Sequence, residues 1–405
     1  MLSRFSSILL VLLVSIVLTG GCVPHENPAT PSTGAKEPPA QIPEGVLVKE
    51  VPTGADIIFT SKRYVLGDIA CLDTNYEPKR NFINDPECNR VIYPSGAGQA
   101  SPRQLFAMEL ETGRVVQLTN IDCFFITAQV MNATTVMALA ACADTDGNGL
   151  INEQDKTELY LLDLAAGEMD CLTCDLDLTA INNPDYSPIQ KKTVFSAQQN
   201  GVLHNYLFTI DAAGNLVQVT DDTNFMDFDC AWSQDGTRIV FSRLPLPAFT
   251  RPSQVWLMDS NGAWAEKITD GGLNTSSEAN HGPYPVGTDA DPDLSPDNSQ
   301  IVFSRLKTGR QNEPFGVWEL VIVDVGTRTE TVLDSQYASM MPEWKSGGIL
   351  FVRQESVDAF VSRPMEIRQS LYRYKDGQFT ELEQYPYNVF PVGACGGSWI
   401  EYTED

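Results

Sequence analysis

Histidine is nearly absent from this sequence: His25, His204 and His281 are the full set. Three scattered imidazoles cannot furnish a histidine-rich metal centre. No H-E-x-x-H is present, and His25-Glu26 lacks a second histidine. No G-x-S-x-G elbow occurs, which removes the α/β-hydrolase nucleophile. No glycine loop of the phosphate-cradling kind occurs either. Basic charge is scarce, with 27 Lys and Arg against 53 Asp and Glu and a net charge of -26. Such a chain repels a phosphate backbone, so nucleic acid is not an expected partner. Helix-period patterns are also scarce beyond the N-terminal apolar run, which points to an all-β chain.

Met1 to Arg4 is short and basic, and Phe5 to Leu18 is almost wholly apolar. This run is shorter than the roughly 20 residues of a membrane span and reads as a secretory signal. Thr19-Gly20-Gly21-Cys22 resembles a bacterial lipobox, although Thr19 stands where that pattern usually has Leu. The resemblance implies a signal peptide over 1–21, cleavage before Cys22, lipidation of that cysteine and a membrane anchor. The alternative is ordinary secretion with an unused cysteine. Residues 22–45 hold Pro24, Pro28, Pro31, Pro38, Pro39 and Pro43 among small and polar residues. Such a composition buries no core and predicts an extended tether. Residues 46–405 remain for the folded part.

That part repeats itself. An alternating apolar run, a glycine turn and a short polar strand recur as LFAMELETGRVVQLT (from Leu105), LYLLDLAAGEMDCLT (from Leu159), YLFTIDAAGNLVQVT (from Tyr206) and VWLMDSNGAWAEKIT (from Val255). LVIVDVGTRTETVL (from Leu320) and LYRYKDGQFTEL (from Leu371) are weaker copies. Period-two alternation around a tight turn predicts a hairpin. A second hairpin precedes most of these: PDYSP…TVFS from Pro184, AWSQDGTRIVFSR from Ala231, PDLSPDNSQIVFSR from Pro292 and PEWKSGGILFVR from Pro342. Two hairpins in about fifty residues match one four-stranded propeller blade.

At these residues the chain resembles the TolB-type β-propeller repeat, with its P-x-W-S-P-D-G, I-x-F-x-S, I-Y-x-x-D and L-T signatures, over roughly Asp56 to Thr403. TolB's N-terminal α/β domain has no counterpart here. The resemblance implies a propeller fold and leaves TolB's own partnership open. Seven runs resemble a second strand, counting IIFTS (Ile57–Ser61) and WIEYT (Trp399–Thr403), but only six outer hairpins are present. Six blades are expected, with the C-terminal segment closing the ring beside the first; seven is the alternative. Closure removes the sheet edge that would otherwise invite pairing.

With blade strands lettered A to D from the axis outward, A–B and C–D turns lie on one face, and B–C loops and D–A connections on the other. The insertions at 62–103, 143–157, 244–253, 306–315 and 354–369 are all B–C loops, and 270–290 is a D–A connection. This loop-bearing face is the candidate binding surface.

Asp144 to Asp155 reads D-T-D-G-N-G-L-I-N-E-Q-D, between two strand-like runs. It fits a calcium loop of EF-hand spacing. Asp144, Asp146 and Asn148 supply side-chain oxygens, Leu150 a carbonyl, Asn152 a water-linked group and Asp155 the last carboxylate. Gly149 allows the turn and Ile151 is the apolar anchor. Asp155 in place of Glu shortens the last arm, so moderate affinity is expected. No helix flanks the loop, so the ion would act as a structural staple. The alternative is an ion-free acidic hairpin tip. Asp289, Asp291 and Asp293 also cluster, and alternate acids there are expected to be solvated.

Of nine cysteines, eight remain beside Cys22. If Asn132-Ala133 is the turn of blade two, Met131 faces Thr134, and the same register sets Cys123 opposite Cys142. Cys71 and Cys88 share the longest insertion and are expected to pair. Cys171 and Cys174 form a C-x-x-C outside any βαβ context, which favours a structural bridge or separate partners. Cys230 and Cys395 stay open.

Two functions follow. One is a non-catalytic scaffold on the bacterial cell envelope, periplasmic or surface-exposed, monomeric, turning its loop face to a protein or glycan. The other is a propeller enzyme acting on polysaccharide or peptide. Asp185, Asp293 and Glu343 at equivalent strand-A places keep the second open, against the plain reading of surface acids. His281 in the long D–A connection is a possible base for it, and His204 is expected on the surface.

Overall fold

The computed structural model describes residues 46–53, 55, 57–61, 70–72, 78–79, 90–92, 104–111, 114–152, 155–199, 201–202, 204–247, 251–271, 285–308, 317–356, 367–382 and 397–400. Among these, every regular element is a strand. Six four-stranded antiparallel sheets stand in a ring. Blades two to six run in chain order from the axis outward, beginning at Phe124–Asn132, Leu178–Ser187, Phe225–Trp232, Asp289–Leu294 and Ala338–Lys345. Blade one takes Ile57–Ser61, Gln104–Glu109 and Arg114–Gln117 as its outer three strands. Its innermost strand comes from the other end of the chain, Gly397–Trp399. The second-strand reading of WIEYT is therefore corrected: the strand that ends at Trp399 is an inner one. Its place opposite Ile57–Phe59 closes the ring. A small two-stranded pairing joins Val46–Leu47 to Thr119–Asn120. A three-stranded sheet of Ala70–Leu72, Pro78–Lys79 and Arg90–Ile92 lies in the first insertion.

The apolar core is divided into wedges between blades. Val194 and Leu207 of blade three meet Trp232, Ile239 and Phe241 of blade four. Val240 and Leu257 of blade four meet Ile301 and Phe303 of blade five. Val302 and Leu320 meet Ile349 and Phe351 one blade further on. Leu350 and Val352 then meet Ile57 and Phe106 of blade one. Each second strand is buried on both faces, which is why IVF and TVF run on without alternation. Burying a Phe of this kind contributes about 1.5–3 kcal/mol.

The recurring L-T has a physical role. Thr119, Thr173, Thr220 and Thr269 accept the N–H of Leu105, Leu159, Leu207 and Val255 at 2.9–3.0 Å. The hydroxyl thus replaces a backbone rung where the outer strand leaves the sheet. The Ser-x-Asp of the inner turns acts similarly: Asp235 Oδ1 accepts from the Ser233 hydroxyl and the Thr237 N–H.

Candidate functional site: the acidic loop and the axis

The B–C loop of blade two joins Thr135–Ala141 to Glu158–Asp163 and so leaves from the loop-bearing face. It is shaped by its own amides. Asp144 accepts the N–H groups of Gly147 and Asn148 on Oδ1 and of Gly149 on Oδ2. Asp146 Oδ1 accepts from Asn148 N–H at 2.9 Å. Asp155 is buried; its Oδ1 takes the Thr145 and Asp146 N–H groups and the Thr145 hydroxyl, and its Oδ2 takes Asn152 N–H. Burial opposes the Asp155 charge, but these donors outweigh it and hold the carboxyl below its usual range. Gly147 and Gly149 sit at φ 76° and 86°, where a side chain would strain the backbone.

One carboxylate oxygen from each of Asp144, Asp146 and Asp155 lies within 4.8 Å of the others, so these three can hold a metal ion. Hard oxygens at this spacing suit a hard divalent cation. Asn148 and Asn152 lie in the same loop, bonded to Asp146 and to the Leu150 carbonyl through their side-chain amides. Leu150 itself is exposed.

Both ends of the loop are tied down. Cys142 is bonded to Cys123, with Cα atoms 4.2 Å apart. The register differs from the expected one: Asn132 faces Thr135, and two bulges then shift the pairing until Ala141 meets Phe124. Those two slips cancel an error of two residues, so Cys142 still reaches Cys123. At the other end Thr157 bonds the Ile181 carbonyl of blade three, and Glu158 pairs with Lys156 and accepts from Thr173. Cys171 and Cys174 are bridged to each other in blade two. Cys230 is a buried free thiol. Cys88, the expected partner of Cys71, lies outside the described residues, as do Cys22, Cys395 and His281. His204 is half-buried, with Nε2 2.7 Å from the Tyr206 hydroxyl, not plainly on the surface.

The strand-A acids are not solvated, contrary to expectation. Asp185, Asp289 and Asp293 are buried. Asp185 Oδ2 accepts the N–H of Trp232 in the next blade at 2.5 Å, and its Oδ1 accepts from Gln129 in the blade before. Asp293 Oδ2 accepts Trp344 N–H at 2.6 Å, and Glu343 accepts Trp399 N–H and the Ser398 hydroxyl at 3.0 Å. Gln129 plays the same part from blade two, accepting Tyr186 N–H at 2.5 Å. These side chains clasp one blade to the next. Burial, only partly offset by Lys345, lifts Glu343 to about 8 and Asp293 to about 6. Asp289 is held by Arg305 and Thr269, and Asp227 by Arg243 in the matching place of blade four.

A second axial group was read only in part: Asp291 stood in the acid cluster expected to be solvated, while Asn183 and Asp229 escaped notice, and each of the three lies two residues before a clasp position. Stacking N-P-D-Y-S, D-C-A-W-S, D-P-D-L-S and M-P-E-W-K shows that column directly.

No protein-family model and no curated protein sequence matches this chain. Solved structures do. TolB from Acinetobacter baumannii superposes with a TM-score of 0.52 at 14% identity, covering 85% of this chain and 66% of that one. The fold is a TolB-like six-bladed β-propeller. Hydrazine synthase from Kuenenia stuttgartiensis also has a TM-score of 0.52, at 14% identity, over 87% of this chain and 47% of that one. The chain thus spans just under two thirds of that TolB and about half of the hydrazine synthase chain. At such identity the likeness is one of fold. The two disulfides in blade two fit an oxidising, extracytoplasmic compartment.

Proposed function

We propose that this TolB-like propeller is a non-catalytic binding scaffold of the bacterial cell envelope. A lipid on Cys22 holds it to a membrane, and calcium staples the 144–155 loop. Its B–C and D–A loop face engages a protein or glycan. The observation that carries this reading is the use of the strand-A acids. Asp185, Asp293 and Glu343, the residues an axial hydrolase or lyase would need free, are bonded to backbone N–H groups of neighbouring blades. Their oxygens are taken up by the neighbouring blade, so these carboxyl groups serve as clasps and are not presented to a substrate. The loop face meanwhile carries an oxygen-rich turn of EF-hand spacing, and calcium is the common cation that suits such a donor set.

Calorimetry of the full chain with calcium, magnesium and manganese tests the staple. A calcium dissociation constant on the order of 10⁻⁴ M is expected, abolished by Asp144→Asn with Asp155→Asn. Photo-crosslinking in cells tests the face. Leu150 is exposed on the loop face and Ile189 on the tight-turn face. A crosslinker at 150 should capture a partner and one at 189 should not. Adducts from 189 alone, or release of products from envelope glycans or peptides, would end the scaffold reading.

A further inference from the structure

In blades three to six the innermost strand bulges at a matching place, and blade three carries a further irregularity between Thr179 and Asn182. Each bulge holds a non-glycine residue in the left-handed region: Asn183 at φ 47°, Asp229 at 47°, Asp291 at 50° and Met341 at 53°. Such a conformation is unfavourable for a residue with a Cβ and persists only where surroundings enforce it. Here the enforcing bonds form an arc about the axis. The Asn183 amide donates to Asp229 Oδ1 at 2.8 Å, and as a neighbouring donor it favours the charged form of the Asp291 carboxyl. Asp229 Oδ2 accepts the N–H of Asp291 at 3.3 Å. Asp291 Oδ2 accepts the N–H of Met341 at 3.2 Å. The chain of bonds thus runs from Asn183 through Asp229 and Asp291 to Met341 and crosses four blades.

Among the described residues, no neighbour supplies a positive charge to this pair. Cys230 follows Asp229 on the same strand and donates its thiol to the Asn183 carbonyl at 3.6 Å. Asp185 faces from blade three, already bonded to Trp232 and Gln129. Asp227 on the same strand is neutralised by Arg243. Asp293 and Glu343 face from blades five and six, with Lys345 at 3.8 Å and 3.9 Å from them. Two adjacent ionised carboxylates, one buried and the other only partly reached by water, are unfavourable without a cation beside them, and a retained proton removes the conflict.

We propose that Asn183, Asp229 and Asp291 form a proton-holding latch on the propeller axis. One proton held between the two carboxyl groups ties the four bulges together. Its loss sets two charges against each other and loosens the arc of blades three to six. Desolvation, then the neighbouring Asp291, raises the Asp229 carboxyl well above its usual range. Desolvation lifts Asp291 to about 6. Asp291 retains some exposure on the axial wall, so its proton can exchange with solvent. The unfolded chain gives up both protons near pH 4. Between there and the folded values the native state binds more protons, so the latch's share of stability falls as pH rises.

Infrared titration of the full chain reads this directly. A protonated-carboxyl band should persist at about pH 6, above the unperturbed range, and part of it should vanish in Asp229→Asn. The same variant should lose less stability than wild type between about pH 5 and pH 8, whereas Glu343→Gln should leave the Asp229 part of the band intact. Should Asp229→Asn fail to fold, Asn183→Asp is the second test. A third carboxyl there should steepen the loss of stability with rising pH. Absence of any protonated-carboxyl band at about pH 6, or unchanged pH slopes in both variants, overturns the latch.

Discussion

Asp185 reaches from the innermost strand of blade three to accept the backbone N–H of Trp232 in blade four at 2.5 Å. The bond joins two blades that also meet through apolar side chains and through the Asn183–Asp229 pair. A buried donor left without its acceptor is expensive, so the contact is asymmetric: making it contributes modestly, and breaking it costs more.

Asp185→Ala should therefore lower unfolding stability by about 2–3 kcal/mol, since it orphans the N–H of Trp232 and the Gln129 amide together. Asp185→Asn keeps one acceptor oxygen and should lose about half as much. Denaturant unfolding of both measures this. A loss below about 0.5 kcal/mol for the alanine variant would show that the clasp is incidental.

Stability should also fall as pH rises toward mildly alkaline values. Glu343 titrates at about 8 in the fold because burial dominates, and ordinary carboxyls titrate near 4 when unfolded. The native state thus holds a proton that the unfolded chain has released, and this share of stability disappears as pH passes through 8. Glu343→Gln, neutral at every pH, should flatten the curve over that interval. An equally steep curve in the variant refutes the assignment.

The disulfide at the loop root should set metal affinity. Cys142 lies two residues before Asp144 and caps the ladder at Ala141–Phe124. Cys123→Ser with Cys142→Ser should weaken calcium binding about three- to tenfold, a coupling of roughly 1 kcal/mol. Calorimetry on both proteins decides it; equal affinities would mean the loop amides alone position the oxygens.

Thr269 accepts the N–H of Val255 and donates to Asp289 at 2.6 Å. Thr269→Val preserves shape and removes both bonds, so about 1–3 kcal/mol should be lost. Thr269→Ser should recover most of it. If serine does no better than valine in thermal unfolding, packing and not the hydroxyl explains the L-T motif.

Much of the ring was legible because its signals are local. Tyr206–Asp211 with Leu216–Gln218 and its five counterparts are hairpins whose alternation and tight turns need no distant partner. The 144–155 loop was legible for the same reason, since its oxygens and glycines are neighbours in the chain. Strand register was less so. Asn132 pairs with Thr135 and two bulges intervene before Ala141, and a bulge leaves little trace in composition.

What the sequence determined by itself, then, is the repeat: its strand alternation, its turn chemistry and the six outer hairpins, all enforced within a few residues. Only the tertiary structure decided what the acids do. In the sequence Asp185, Asp291, Asp293 and Glu343 read as solvated acids of separate inner strands, and Asp229 did not stand out at all. Their partners lie about fifty residues away, in the next blade. Bringing these strands side by side around an axis takes the carboxyls out of water, and desolvation then turns them from solvated charges into clasps and proton holders.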